Sequence, residues 1–263
     1  MTSSATADEV GVISTPPPVP KVTIKPEQPL PGEPLRMHVV EQRPDADGHP
    51  VTYEVRWARN GRTIDATVNG ISKGKTKKGE SWTVEVIAID GKDKASPARA
   101  AVTIGNQPPV APRIELSKQT VTTTQKVDLI VTREAQDTDG DDITLEVKWS
   151  KDGKEVAALN GQRGVPTSAT KKGEKWEVEV IAFDGRDRSE PVRSGFTVID
   201  TPPTKPKVAF KPALPVAGQD VTVEVVAPGT DVDGDAVKHQ IQWFVDGKPV
   251  RRANKFTLSG RKL

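Results

Sequence analysis

Three short acidic stretches carry most of the chemistry available to this chain: Asp45-Ala46-Asp47-Gly48-His49, Asp137-Thr138-Asp139-Gly140-Asp141-Asp142 and Asp231-Val232-Asp233-Gly234-Asp235. Alternating carboxylates on a tight turn present several oxygens to a hard cation, and calcium takes six to eight of them. Calcium is therefore the ion such a set would hold. The match to the helix–loop–helix calcium loop is partial, because that loop has its glycine after a third acid and ends in a distant glutamate. In the first stretch His49 stands where the third acid would be, which makes calcium a poorer fit there. The same residues also suit an ordinary turn: Asp accepts backbone N–H bonds and Gly supplies positive φ. Both readings stay open at the level of sequence.

Little else could do chemistry. There is no cysteine, which removes disulfides, thiolate metal sites and thiol nucleophiles together. The three histidines, His38, His49 and His239, recur at no equivalent positions, and no base is paired with a nucleophile. We expect no enzyme and no catalytic residue. Lys plus Arg number 38 against 36 Asp plus Glu, a balance of +2 that creates no field for nucleic acid or an anionic membrane. Aromatics are only 4%, too few for a stacking face. No apolar run approaches the roughly 18 residues of a membrane helix, and Met1–Ser14 lacks the basic and apolar regions of a signal peptide. Lys77-Lys78-Gly79-Glu80 and Lys171-Lys172-Gly173-Glu174 could serve as anion or glycan contacts, but their glycines favour turns with solvated lysines that shield the next strand.

The elements that must position the acids are repeated. Trp57, Trp149 and Trp243 are spaced by 92 and 94 residues, and Trp82 and Trp176 by 94. Around the first set the chain reads VTYEVRWARNG, ITLEVKWSKDG and VKHQIQWFVDG; around the second, KKGESWTVEVIAIDGKDKASP and KKGEKWEVEVIAFDGRDRSEP. Each segment alternates as a half-buried strand does, with Val51, Tyr53, Val55 and Trp57 on one face and Thr52, Glu54 and Arg56 on the other. Asn60-Gly61, Asp152-Gly153 and Asp246-Gly247 are hairpin turns. No long helical period occurs, so the fold class is all-β.

Pro16-Pro17-Pro18, Pro108-Pro109 and Pro202-Pro203 each precede a short strand and mark borders as Pro-rich linkers. They divide the chain into 16–106, 107–200 and an incomplete third module, 201–263, while residues 1–15 read as a tail or the last strand of a preceding module. A period near 90 residues with about seven strands fits an immunoglobulin-like β-sandwich. The succession D-x-D-G-D, V-x-Y-x-V-x-W-x-x-N-G and K-G-x-x-W-x-V-x-V-x-A-x-D-G-x-x-S-x-P resembles the immunoglobulin-like repeats, of the PKD and cadherin-like sort, of bacterial and archaeal surface proteins. The resemblance spans residues 16 to 263 and implies a tandem, extracellular or cell-surface array that spaces, adheres or organises.

In such a sandwich the B–C and F–G loops share the end where the chain enters. Asp45 and Asp47 would then lie near Asp90. Asp137, Asp139 and Asp141 would lie near Asp184 and Asn106, and Asp231, Asp233 and Asp235 near Asp200. Calcium held there would stiffen each junction, although Lys92 and Arg186 in the F–G turns offer positive charge of their own. The expected function is a non-catalytic spacer array; the alternatives are an adhesin for protein or glycan and accessory repeats of a larger secreted enzyme. The expected partners are other modules of the same array or a surface protein or glycan, with no nucleic acid and no membrane insertion.

Overall fold

The computed structural model describes residues 14–41, 43–65, 70–91, 93–250 and 255–262. The terminal strand expected in residues 1–15 lies, apart from Ser14 and Thr15, outside the described residues, as does Lys92. The chain is all-β with several sheets, and it divides into two compact units: residues 1–110 with 135–144 and 182–189, and residues 111–134 with 145–181 and 190–263.

In the first unit a four-stranded antiparallel sheet runs Arg62–Ile64, Thr52–Arg59, Ser81–Ile89, Ala98–Thr103. The alternation seen in the sequence is the alternation of burial: Trp82, Val84, Val86 and Ala88 are all at or below 2% exposed. A second pair, Lys21–Lys25 with Arg36–Glu41, contributes Val22 and Ile24 to the same core, and Leu35 joins it beside Trp57. His38 is exposed on that strand. Asn60 and Gly61 have φ of 50 and 77, the two positive values that a two-residue hairpin needs to follow strand twist. The Asn60 side chain then accepts the Ser81 N–H at 2.9 Å, tying the hairpin to the start of the strand bearing Trp82.

The second unit holds the strands of a complete sandwich. One sheet is ordered Lys154–Glu155, Thr144–Lys151, Lys175–Phe183, Val192–Ile199, Thr120–Thr122, with the last pair parallel. The other is Gly164–Val165, Val127–Arg133, Arg113–Leu116. This partition, with Arg113–Leu116, Val127–Arg133 and Gly164–Val165 on one sheet and the hairpin and final strands on the other, is the immunoglobulin-like one. Between them Trp176 stacks on Phe196 at 6.0 Å, and Trp149 meets the same ring edge-on at 6.4 Å. Trp149 Nε1 donates to the Gln162 carbonyl at 3.0 Å, so the buried indole leaves no donor unpaired. The chain has no cysteine, so these packed rings close the core without the inter-sheet disulfide of antibody domains.

The same unit contains a sheet of Lys207–Lys211, Val221–Ala227 and Thr257–Leu258 over a small core of Val221, Val223, Trp243 and Leu258. Residues 237–243, expected as a strand from VKHQIQW, are not one. The counterpart Thr52–Arg59 is held along its length by Ser81–Ile89, and among the described residues 237–243 has no such neighbour. The chain then forms the hairpin Phe244–Val245 with Lys248–Pro249, around Asp246 and Gly247 at φ 48 and 74. An apolar groove lined by Val208, Phe210, Val225, Ile241 and Trp243 stays open, and Phe210 and Phe244 remain more than half exposed. His239 is half-buried, its Nε2 accepting the Gly229 N–H at 3.4 Å. Among the described residues no helix is long and apolar enough to cross a membrane.

Candidate functional site

Each acidic stretch folds into the same loop. The first acid turns back on its own backbone: Asp137 Oδ1 accepts the N–H groups of Asp139 at 2.7 Å and Asp141 at 3.2 Å. Asp231 Oδ1 takes those of Asp233 and Asp235 at 2.8 and 3.2 Å, and Asp45 Oδ2 those of Asp47 and His49 at 3.1 and 3.3 Å. Gly48, Gly140 and Gly234 supply the positive φ that closes the turn. The turn reading is thus built into all three loops, and it spends only one oxygen of each first acid.

The second acid of each loop reaches the segment that leads into the module. Thr15, Gln107 and Thr201 each donate a backbone N–H to the aspartate 32 residues on, Asp47, Asp139 and Asp233, at 2.7, 2.9 and 2.7 Å. Thr15 adds its hydroxyl to Asp47, and Thr123 its hydroxyl to Asp233. Those bonds hold Asp47 and Asp233 below the usual carboxylate range, because hydrogen bonds to a charged oxygen favour the charged form.

The third acid meets a lysine. Lys78 pairs with Asp141 and Lys172 with Asp235, both across 63 residues. Lys172 also touches Asp200 at 3.0 Å. Both ammonium groups are held charged above the usual lysine value, chiefly by these bonds. The second lysine of each K-K-G-E turn is thus ion-paired, not solvated as its sequence suggests. The glycine turn aims the Nζ at the next acidic loop, while the turn's glutamate, Glu80 or Glu174, binds back to Lys77 or Lys171 N–H and to the following Trp Nε1.

Asn106 makes a buried contact. At 7% exposed, its amide nitrogen donates to Asp184 at 2.8 Å and Asp187 at 2.7 Å. Burial pushes Asp184 up, but the Asn106 amide, the Asp187 and Arg186 N–H groups and the Lys78 charge together bring it down to about 2. Asp90, also buried, accepts the Asp93 N–H at 2.7 Å in the equivalent turn. The side chain of Arg188 lies over the Phe183 ring at 4.4 Å.

The structure therefore brings together Asn106, Asp137, Asp139, Asp141 and Asp184 around Lys78, and Asp200, Asp233 and Asp235 around Lys172. The oxygens of Asp137, Asp139 and Asp141 lie within 4.8 Å of one another, as do the ligand atoms of Asp45, Asp47 and His49. Sequence reasoning missed Lys78, Lys172, Thr123 and the linker amides. The constant separation of 63 residues between lysine and third acid is the signal that was present.

No protein-family model matches the chain, and no curated protein matches it. Among solved structures it is similar to the FN1–FN3 domains of chicken CNTN1, at 13% identity over 94% of this chain and 87% of that chain, with a TM-score of 0.30. It is also similar to a two-domain fibronectin type-III segment of chicken tenascin, at 16% identity over 68% and 99%, TM-score 0.33. A third similar structure is the three N-terminal domains of the bacteriophage RB49 highly immunogenic outer capsid protein, at 15% identity over 86% and 73%, TM-score 0.28.

Proposed function

We propose that the chain is a non-catalytic structural array of immunoglobulin-like modules, of the kind displayed on a cell surface or secreted, whose borders are fixed by side-chain contacts. The observation that carries this reading is the repeated junction: the same lysine-to-acid and linker-to-acid bonds recur at the same separations of 63 and 32 residues. Repeated contacts at module borders serve geometry, whereas catalysis needs one distinctive site. An adhesin would call for an apolar or aromatic patch common to the modules. The large exposed apolar side chains instead crowd into 208–256, where Val208, Phe210, Leu214, Val216, Val226, Phe244 and Phe256 stand out. That distribution favours spacing over adhesion, and it leaves attachment to a larger secreted enzyme as a question of context.

Calcium belongs to this proposal as a competitor of lysine. Asp137, Asp139 and Asp141 offer gathered oxygens, but the Lys78 ammonium already binds Asp141 and acts on Asp139 and Asp184. Calcium has to displace it. Calorimetry of the native chain and of K78M/K172M, with calcium and with chelator, tests both points. The double variant is expected to unfold in separated transitions where the native chain unfolds more cooperatively, and to gain a calcium-dependent rise in Tm larger than that of the native chain. Identical unfolding profiles would remove the lysine junction from the proposal; an unchanged calcium response would remove calcium.

A further inference from the structure

The Asp45–His49 loop departs from its two counterparts in how its charge is answered. Lysine meets the third acid in those loops; here the third position is His49, and among the described residues no lysine pairs with Asp45 or Asp47. The ligand atoms of Asp45, Asp47 and His49 lie within 4.8 Å of one another, with His49 Nδ1 at 3.5 Å from Asp45 Oδ2.

A second observation points to a ligand. Asp45 is 6% exposed, more than nine-tenths buried, and while its Oδ2 accepts two backbone N–H groups, its Oδ1 has no hydrogen-bond partner. A desolvated carboxylate oxygen left without a partner is costly, and folded proteins tolerate few of them. Asp45 and His49 line one small cavity together with Arg43, whose guanidinium is engaged at 2.8 Å by Glu41. Asp47 spends Oδ2 on Thr15, which leaves Oδ1 for another partner. Two carboxylates and an imidazole are thus assembled, and among the described residues no lysine or arginine pairs with either carboxylate.

We propose that this loop binds a divalent first-row transition metal, zinc foremost, through Asp45, Asp47 and His49. Imidazole suits zinc and its neighbours, while calcium is held by oxygen alone. Zinc ligands sit at about 2.0–2.2 Å in a tetrahedron, so the three groups must draw closer than they stand. The His49 side chain, 41% exposed, has room to turn inward. Water completes the fourth position. The proposal is independent of the junction reading and of calcium at the other two loops.

The test is titration of the full 263-residue chain with zinc chloride, and separately with calcium chloride, followed by calorimetry and by Tm. One zinc ion per chain is expected to bind and raise the Tm. H49A, at a partly exposed position, is expected to bind zinc more weakly by about ten-fold or more, since losing even an outer partner of a ligand costs that much. Cobalt is expected to broaden the NMR signals of the His49 ring before those of His38 and His239. An absent zinc response in the native chain, zinc binding undiminished in H49A, or broadening first at His38 or His239 would each overturn the proposal.

Discussion

Asp184 shows how one side chain can serve a border and report on it. Its carboxylate is enclosed at 9% exposure, yet the Asn106 amide, two backbone N–H groups and the Lys78 charge keep it ionised down to about pH 2. In an unfolded chain an aspartate titrates near ~3.9, so as acid is added the unfolded state takes up the proton first. Stability from this group is whole above that value and drains away as pH falls toward about 2. Asp47, Asp233 and Asp235 are shifted the same way and deepen the loss. Lys78 and Lys172 act on the other side: their pKa values are raised, so what they contribute is whole below the ordinary lysine value of ~10.4 and lost only as pH rises beyond it. Thermal unfolding across pH is expected to give a plateau from mildly acidic to mildly alkaline conditions and a fall below about pH 4. D184N should flatten the acid limb; an unaltered limb would show that other carboxylates set it.

At the scale of the element, the local devices were readable and the distant ones were not. Asn60-Gly61 and Asp152-Gly153 announce hairpins because a two-residue turn depends on the residues within it, and the structure gives both pairs positive φ. The strands through Trp82 and Trp176 were equally plain, since alternation is local and burial follows it. The segment 237–243 has the same alternation and is no strand, because a strand is completed by a hydrogen-bonded neighbour that its own residues do not specify. The acids are legible from composition and spacing, but nothing local to Lys78 points to its partner, which lies 63 residues away. Packing makes a sharper claim. Phe196 is sandwiched by Trp176 and met edge-on by Trp149, at 4% exposure. Truncation in F196A is expected to cost about 3–5 kcal/mol, the range for a buried phenylalanine, as read from denaturant midpoints. A loss below about 1 kcal/mol would mean that the two sheets close without that ring.

Over the whole molecule, order is unequal in its supports. Among the described residues, the cores around Trp57 and around Trp149 each gather ten or more buried residues, whereas the one around Trp243 gathers four. Hydrogen exchange is therefore expected to be fastest in Lys207–Lys211 and Val221–Ala227 and slowest in Ser81–Ile89 and Lys175–Phe183. Equal protection of all four strands would contradict this. The recurrence of the border bonds has a further result for how such a chain can change length. The borders near residues 107 and 201 are each written in two halves, a lysine turn before and an acidic loop after, and the halves are interchangeable because their spacing is constant. If residues 107–200 were cut out in frame, Lys78 would come into register with Asp235 as it now is with Asp141, and Thr201 would follow Asn106 as Gln107 does. A gene encoding this pattern can gain or shed a module by unequal recombination and still spell a matched joint, so length is free to vary while the joint is inherited unchanged.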